Sequence, residues 1–121
     1  MKYLVVDDSK MARRMLLKAL KELISEDAQL VECTNGQEAI NAYKSDKFNM
    51  CFMDLTMPVM DGFEAIKQIC EYDKNAKVIV ISADIQEGSM KKAKESGALG
   101  FIKKPVNTKN LSSMLNTLGL K

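Results

Sequence analysis

The chain has 121 residues, a net charge of +2, 46% hydrophobic residues and 28% charged residues. This length suits one compact domain with an ordinary buried core, so we expect a single domain over residues 1–121. The apolar runs are too short to span a bilayer, and Met1-Lys2 leads directly into a strand-like run, which argues against a signal peptide. The small net charge does not indicate a nucleic-acid surface, and we expect neither nucleic acid nor membrane as a partner.

Cysteine and histidine content narrows the chemistry further. The cysteines are Cys33, Cys51 and Cys70, and histidine is absent. An odd number of cysteines without C-x-x-C spacing predicts core thiols in a reducing compartment, so we expect a cytoplasmic protein. Without histidine, imidazole-based catalysis, most zinc sites and a role as phosphohistidine donor are excluded. If the protein receives phosphate, another side chain must accept it.

Short apolar runs typical of buried parallel strands alternate with amphipathic helical segments along the chain. The pattern predicts strands at 3–6, 30–33, 50–53, 78–81 and 99–102, of which 30–33 is the expected edge strand. It predicts helices at 11–23, 36–46, 63–71, 85–96 and 107–118, with Gly119 as a C-terminal cap. Strict alternation implies an α/β fold with a parallel sheet. Five such units fit a flavodoxin-like, doubly wound (βα)5 fold with strand order 2-1-3-4-5, although alternation alone does not determine the order.

Polar residues follow four of the predicted strands. Asp7-Asp8 follow the first strand, Asp54 the third, Ser82 the fourth, and Lys103-Lys104-Pro105 the fifth. In the order 2-1-3-4-5 the first and third strands are neighbours about 5 Å apart, so Asp7, Asp8 and Asp54 are expected to lie close together. Clustered carboxylates repel one another, and a hard cation such as Mg²⁺ offsets that repulsion and also accepts phosphate oxygens.

These residue types suit phosphoryl transfer, which depends on positioning and positive charge more than on acid–base groups. Asp54 can act as the nucleophile and form an acyl phosphate, Lys104 can pair with a phosphate oxygen, and the Ser82 hydroxyl can donate to another. Each residue alone also has a simpler explanation: Asp8 or Ser9 could cap a helix, and Lys104 could be a solvated charge. The interpretation therefore depends on all four strand ends together.

At these positions the chain resembles the receiver domains of response regulators in bacterial two-component systems. The matching segments are V-V-D-D-S at 5–9, M-D-L-T-M-P-V-M-D-G at 53–62, I-S-A at 81–83 and F-I-K-K-P at 101–105, and the resemblance covers essentially the whole chain. It implies that Asp54 is the phosphoacceptor. It also implies that Asp8, Asp54 and the Thr56 backbone carbonyl bind Mg²⁺ directly, with Asp7 assisting through water.

The resemblance further implies a switch. Lys104 would contact the phosphoryl group, the Lys104–Pro105 peptide bond would be cis, and Ser82 would move toward the phosphate while Phe101 turns inward. Phe101 stands where the family also uses Tyr. Because phenylalanine has no hydroxyl group to offer to a partner, the switch here would act by packing alone. Thr56 and Asp84 lie where the family varies and where the acyl-phosphate lifetime is tuned.

The implied output surface comprises the fourth helix, fifth strand and fifth helix. We predict that it is basic and would suit an acidic amphipathic peptide of an output protein. Its expected members are Met90, Lys91, Lys94, Phe101, Lys103 and Lys109.

We predict a stand-alone regulator of the chemotaxis type, a monomer or a weak dimer, phosphorylated by a histidine kinase or a phosphotransfer protein. Because the chain ends soon after the fifth helix, we expect no output domain and no enzymatic activity beyond autocatalytic phosphoryl transfer and dephosphorylation. A phosphorelay intermediate, a receiver fragment of a larger regulator and a phosphorylation-independent pseudo-receiver are alternatives.

Two other classes fit the sequence less well. A haloacid-dehalogenase-like phosphatase would need D-x-D-x-T where this chain has D-D-S-K-M at 7–11. A flavin or nucleotide carrier would need a glycine-rich or hydroxyl-rich phosphate loop after the first strand.

Overall fold

The computed structural model describes residues 1–83 and 86–119, in which strands and helices alternate throughout. The strands are β1 (Lys2–Val6), β2 (Gln29–Cys33), β3 (Met50–Met53), β4 (Val78–Ser82) and β5 (Gly100–Lys103). The helices are α1 (Lys10–Leu23), α2 (Gly36–Ser45), α3 (Gly62–Tyr72), α4 (Glu87–Ser96) and α5 (Thr108–Thr117).

All the strands pair in parallel, and their order in the sheet is β2-β1-β3-β4-β5. This confirms the predicted flavodoxin-like fold with β2 at an edge. Val6 at the end of β1 pairs with Met53 at the end of β3, so the residues that follow these strands leave the same edge of the sheet side by side.

Two apolar layers cover the sheet. Successive strand residues point to opposite faces, so Leu4 packs in one layer and Val5 in the other. The layer with Leu4 includes buried residues of α2, α3 and α4, whereas the layer with Val5 includes buried residues of α1 and α5. Burial on both faces explains why the central strands read as continuous apolar runs.

The element boundaries agree with the predicted ones to within two residues. Ser9, not Asp8, caps α1, because its side chain accepts a hydrogen bond from the Ala12 N–H. Helix α4 begins at Glu87, and Ile85, where its start was predicted, lies outside the described residues. After α5, Gly119 adopts a left-handed φ of 68°, the backbone conformation of a C-terminal glycine cap.

The loop between β3 and α3 folds back tightly on itself. The Gly62 N–H donates to the Leu55 carbonyl at 2.9 Å, and the Gly36 N–H donates to the Met60 carbonyl at 3.0 Å. Within this loop Val59 has a left-handed φ of 68° and is 82% exposed, a conformation that costs a β-branched residue about 1–3 kcal/mol. Asp54 therefore stands at the start of a closely held and locally strained loop.

The three cysteines are free thiols, as predicted, with Cys33 and Cys51 buried and Cys70 half-buried. Burial raises the pKa of Cys33 to about 11 and also raises the pKa of Cys51 and of Cys70. These thiols are therefore protonated and unreactive at neutral pH. Within the two described ranges, the helices lack the length and apolarity needed to cross a membrane.

Candidate phosphoacceptor site

Three carboxylates meet at the carboxyl edge of the sheet. Asp7 follows β1 and Asp54 follows β3, and each is 6% exposed, whereas Asp8 is exposed. One carboxylate oxygen from each of the three lies within 4.8 Å of the others. The structure thus brings together the acidic cluster that the sequence predicted, because neighbouring parallel strands end in register here.

Lys104 joins this cluster from the end of β5. Its Nζ lies 2.7 Å from Asp7 Oδ2 and 3.4 Å from Asp54 Oδ2, and its side chain is 24% exposed. Its backbone N–H donates to the Ser82 carbonyl at 2.9 Å, and the Lys104–Pro105 peptide bond is cis, as expected. Burial alone would lower the pKa of Lys104, but hydrogen bonds and charge from Asp7 and Asp54 outweigh it and raise that pKa.

The two oxygens of the Asp54 carboxylate have different surroundings. Oδ1 accepts a hydrogen bond from the Leu55 N–H at 2.9 Å, and Oδ2 is the oxygen that faces Lys104. Burial, followed by the charge of Asp7, raises the pKa of Asp54, and Lys104 and the Leu55 N–H offset only part of that rise. The carboxylate is therefore held in one orientation with Oδ2 beside a cation.

Asp7 is fixed through its backbone as well as its side chain. Its N–H donates to the Cys33 carbonyl at 3.1 Å, and its Oδ1 accepts from the Ser9 N–H at 2.9 Å. Its carbonyl accepts from Arg13 Nη1 at 2.7 Å, while Arg13 Nε donates to Glu32 Oε1 at 3.0 Å. Arg13 thus ties the start of α1 to the ends of β1 and β2.

Sequence reasoning missed Arg13, although a signal was present. Arg13 lies one turn into a helix that begins directly after the acidic pair, and helical side chains tilt toward the N-terminus. A long basic side chain at that position can therefore reach back to the segment between Asp7 and Ser9.

The other site residues predicted from the sequence lie at or after the ends of β3 and β4, or within β5. Ser82 is 3% exposed at the end of β4, between the strands that end at Asp54 and Lys104. Thr56 is exposed two residues after Asp54, and Asp84 lies outside the described residues. Phe101 is half-buried against the apolar layer of α2, α3 and α4.

Some of the residues predicted for the output surface lie close together. Lys91, Lys94, Lys103 and Lys109 are exposed, and Met90 is half-buried. Phe101, Lys103 and Lys109 line a groove of about 450 Å³ between β5 and α5. A lysine that was not predicted, Lys92, places its Nζ 4.4 Å from the centre of the Phe63 ring and so faces α3.

Comparison with known proteins agrees with this arrangement. Residues 3–116 match the response regulator receiver domain family. The chain is 42% identical over 115 residues to the chemotaxis protein CheY of Thermotoga maritima, and the alignment covers 93% of this chain and 92% of that protein.

Solved structures are similar over the whole fold. A chain of the CheX–CheY–BeF3–Mg²⁺ complex from Borrelia burgdorferi has a TM-score of 0.86 at 31% identity, covering 100% of this chain and 90% of that one. The response regulator TrrA from Thermotoga maritima, in complex with Mg²⁺ and BeF, has a TM-score of 0.82 at 26% identity and covers 97% of both chains. Together with the acidic cluster and its lysine, these similarities show that the chain belongs to the response-regulator receiver domain family and is closely related to the chemotaxis proteins CheY.

Proposed function

We propose that this receiver domain accepts a phosphoryl group on Asp54. The proposal is carried by the approach of Lys104 Nζ to within 3.4 Å of Asp54 Oδ2, next to two further carboxylates. Because the Leu55 N–H donates a hydrogen bond to Asp54 Oδ1, Oδ2 is the oxygen available to attack phosphorus. It forms the bond to phosphorus while the bond between phosphorus and the donor atom breaks, and the donor leaves with the electron pair.

The neighbouring side chains would assist without a general base. An ionised carboxylate carries no proton to remove, so the absence of histidine is no obstacle to this step. The Lys104 ammonium can donate hydrogen bonds to phosphoryl oxygens, and the Ser82 hydroxyl at the next strand end can donate another. The same site would hydrolyse the acyl phosphate and reset the domain, with Thr56 and Asp84 tuning its lifetime.

A magnesium ion fits the donor set of this site. Asp7, Asp8 and Asp54 supply carboxylate oxygens within 4.8 Å of one another, which are the ligands that this hard cation prefers. These residues would hold the ion together with the Thr56 backbone carbonyl. When bound, it would offset the carboxylate repulsion and the charge of the phosphoryl group. The Mg²⁺ present in the Borrelia burgdorferi and TrrA complexes supports this assignment.

The first test is intact-mass spectrometry after incubation with acetyl phosphate, with and without Mg²⁺. We expect one added phosphoryl group in the wild-type protein with Mg²⁺ and none in Asp54→Asn, since an amide cannot form the acyl phosphate. Asp61→Asn is the matched control, because Asp61 caps α3 and asparagine caps a helix equally well.

A label on Asp54→Asn would contradict the assignment. A folded wild-type protein without a label would be tested with beryllofluoride, which binds a competent site whose acyl phosphate hydrolyses too quickly to be seen. Failure of both phosphorylation and beryllofluoride binding would show a pseudo-receiver.

Arg13 gives a second prediction at this site. Lysine in its place cannot hold the Asp7 carbonyl and Glu32 at once, because it lacks the forked guanidinium. We expect Arg13→Lys to weaken Mg²⁺ binding about tenfold, as is typical when a group that orients a metal ligand is lost. Isothermal titration calorimetry measures the affinity for Mg²⁺, and Arg14→Lys, on the exposed part of α1, is the control. Equal affinity in both variants would assign Arg13 to stability alone.

We propose that phosphorylation alters the α4–β5–α5 face through Ser82 and Phe101. Ser82 is buried at the site and Phe101 is half-buried on the adjacent strand. A shift of Ser82 would therefore change the space open to the Phe101 ring. The phosphoryl donor would be a histidine kinase or a phosphotransfer protein. The output partner would be a protein of a chemotaxis-type pathway in the cytoplasm, with an acidic segment that suits the exposed lysines of this face.

A further inference from the structure

A cavity of about 380 Å³ opens beside the phosphoacceptor and runs beneath the first half of α1. Its polar end is formed by Asp7, Asp54 and Lys104, and its other walls include Met11, Met15 and Phe52. This volume lies in the range of small-molecule pockets, about 300–1,000 Å³. An apolar cavity with a few converging polar groups at one end is the usual form of a site for a small amphipathic ligand.

Both Asp54 and Lys104 line this cavity. Leu55 holds Asp54 Oδ1, whereas Asp54 Oδ2 is directed toward Lys104, and Lys104 itself lines the cavity. A donor whose phosphorus lies next to Oδ2 can therefore extend the rest of its structure between the site and α1.

Building on the function proposed above, we propose that this cavity receives the acyl group of a small acyl phosphate donor, and that the protein prefers acyl chains longer than acetyl. In the step itself, Asp54 Oδ2 forms a bond to phosphorus. The bond from phosphorus to the acyl oxygen breaks, and the carboxylate leaves with the electron pair, so no proton transfer and no oxidant are required.

The exposed methionines explain why an apolar group suits this position. Met11 is 66% exposed and Met15 is 39% exposed, although both lie on the helix that borders the site. An alkyl chain placed against them removes apolar surface from water on both partners. Methionine side chains also adapt readily to ligands of different shape. An acetyl group is too short to use most of this surface.

The experiment compares acetyl phosphate with butyryl phosphate as donors for wild-type protein in the presence of Mg²⁺. Both donors release unbranched carboxylates of similar basicity, so their intrinsic reactivities are close. The measured quantity is the second-order rate constant for labelling Asp54, followed by intact mass. We expect butyryl phosphate to react faster by about three- to fifteenfold, the upper figure corresponding to full burial of its two additional methylene groups.

Variants show whether the cavity causes the preference. Met15→Ser makes one wall polar, and Ala12→Phe fills part of the cavity from the same helix, so each should reduce the butyryl-to-acetyl ratio to about one. Leu99→Ser makes a comparable change at a residue that is 47% exposed before β5, at the opposite end of the sheet, and should keep the wild-type ratio. Thermal unfolding confirms that each variant is folded, and a ratio is unaffected by a partial loss of active protein.

Two results would overturn the inference while leaving the proposed function intact. Equal rates for the two donors in the wild-type protein would show that a small donor does not use the cavity, which would leave it to another occupant such as an apolar side chain of a partner protein. A preference that persists in both Met15→Ser and Ala12→Phe would locate its cause elsewhere. Absence of labelling by either donor, together with absence of beryllofluoride binding, would overturn the proposed function and this inference with it.

Discussion

Replacing Gly62 with alanine is expected to lower the free energy of unfolding by about 3 kcal/mol and to slow the labelling of Asp54 about a hundredfold. A Cβ at this position would lie 2.1 Å from the Asp54 carbonyl oxygen and 2.8 Å from the Leu55 Cα. Both contacts involve backbone, so no side-chain rotation relieves them. The loop that begins at Asp54 would have to move, and the Asp54 carboxylate would move with it.

Gly88→Ala is the matched control for this prediction. Gly88 lies in α4, and a Cβ built there meets nothing within 4 Å among the described residues. Alanine should therefore stabilise this helix, by about 0.5–1 kcal/mol. Urea denaturation followed by circular dichroism measures both variants, and acetyl phosphate labelling measures the site. Wild-type stability in Gly62→Ala would show that the loop and helix α3 adjust without cost.

The fold and the acidic cluster followed from the sequence for one physical reason. Parallel strands buried on both faces leave nearly unbroken apolar runs, and such runs end where polar residues such as Asp54 begin. The predicted proximity of Asp7 and Asp54 then required only that β1 and β3 be neighbours, which the sheet order confirms. The apolar runs and the polar residues that follow them are properties of short segments, which a sequence displays directly, whereas the order of the strands is established by the structure.

Contacts between distant segments could not be obtained in this way. The sequence predicted a helix from residue 63, yet the approach of Gly62 to the Asp54 backbone depends on how the segment from Asp54 to Gly62 folds back. The cavity beside Asp54 also depends on side-chain directions that periodicity does not specify. Val59 illustrates the same limit, because a β-branched residue is a poor candidate for a left-handed backbone.

Among the described residues, the ammonium group of Lys104 is the cation that lies beside the two buried carboxylates of the site. Asp7 and Asp54 are each 6% exposed, and Lys104 lies within 4 Å of both. A pair of buried like charges is unfavourable unless a cation offsets it. A bound Mg²⁺ would therefore perform the same electrostatic task on these carboxylates as Lys104.

Lys104→Met is expected to lower the free energy of unfolding by about 2 kcal/mol near neutral pH without Mg²⁺. Removing one partner of a fully buried ion pair costs about 3–5 kcal/mol, and the value here is reduced because the Lys104 side chain is 24% exposed. The pKa of Asp54 is already raised in the folded protein, and the loss of Lys104 raises it further. The folded state then binds a proton more tightly than the unfolded state, so stability falls as pH rises above the unfolded pKa of Asp54 and toward its folded pKa.

Urea denaturation of Lys104→Met at about pH 5 and about pH 7.5, with EDTA or with Mg²⁺, separates the effect of the lost charge from the effect of the lost alkyl-chain packing. We expect the variant to recover part of its stability at the lower pH, where Asp54 is more often protonated, and most of it when Mg²⁺ replaces the lost positive charge. Lys103→Met makes the same change at the exposed neighbouring residue. The dependence of its stability on pH and on Mg²⁺ should equal that of the wild-type protein. A destabilisation of Lys104→Met that is independent of both pH and Mg²⁺ would mean that the lysine contributes packing of its alkyl chain and not the charge that balances Asp7 and Asp54.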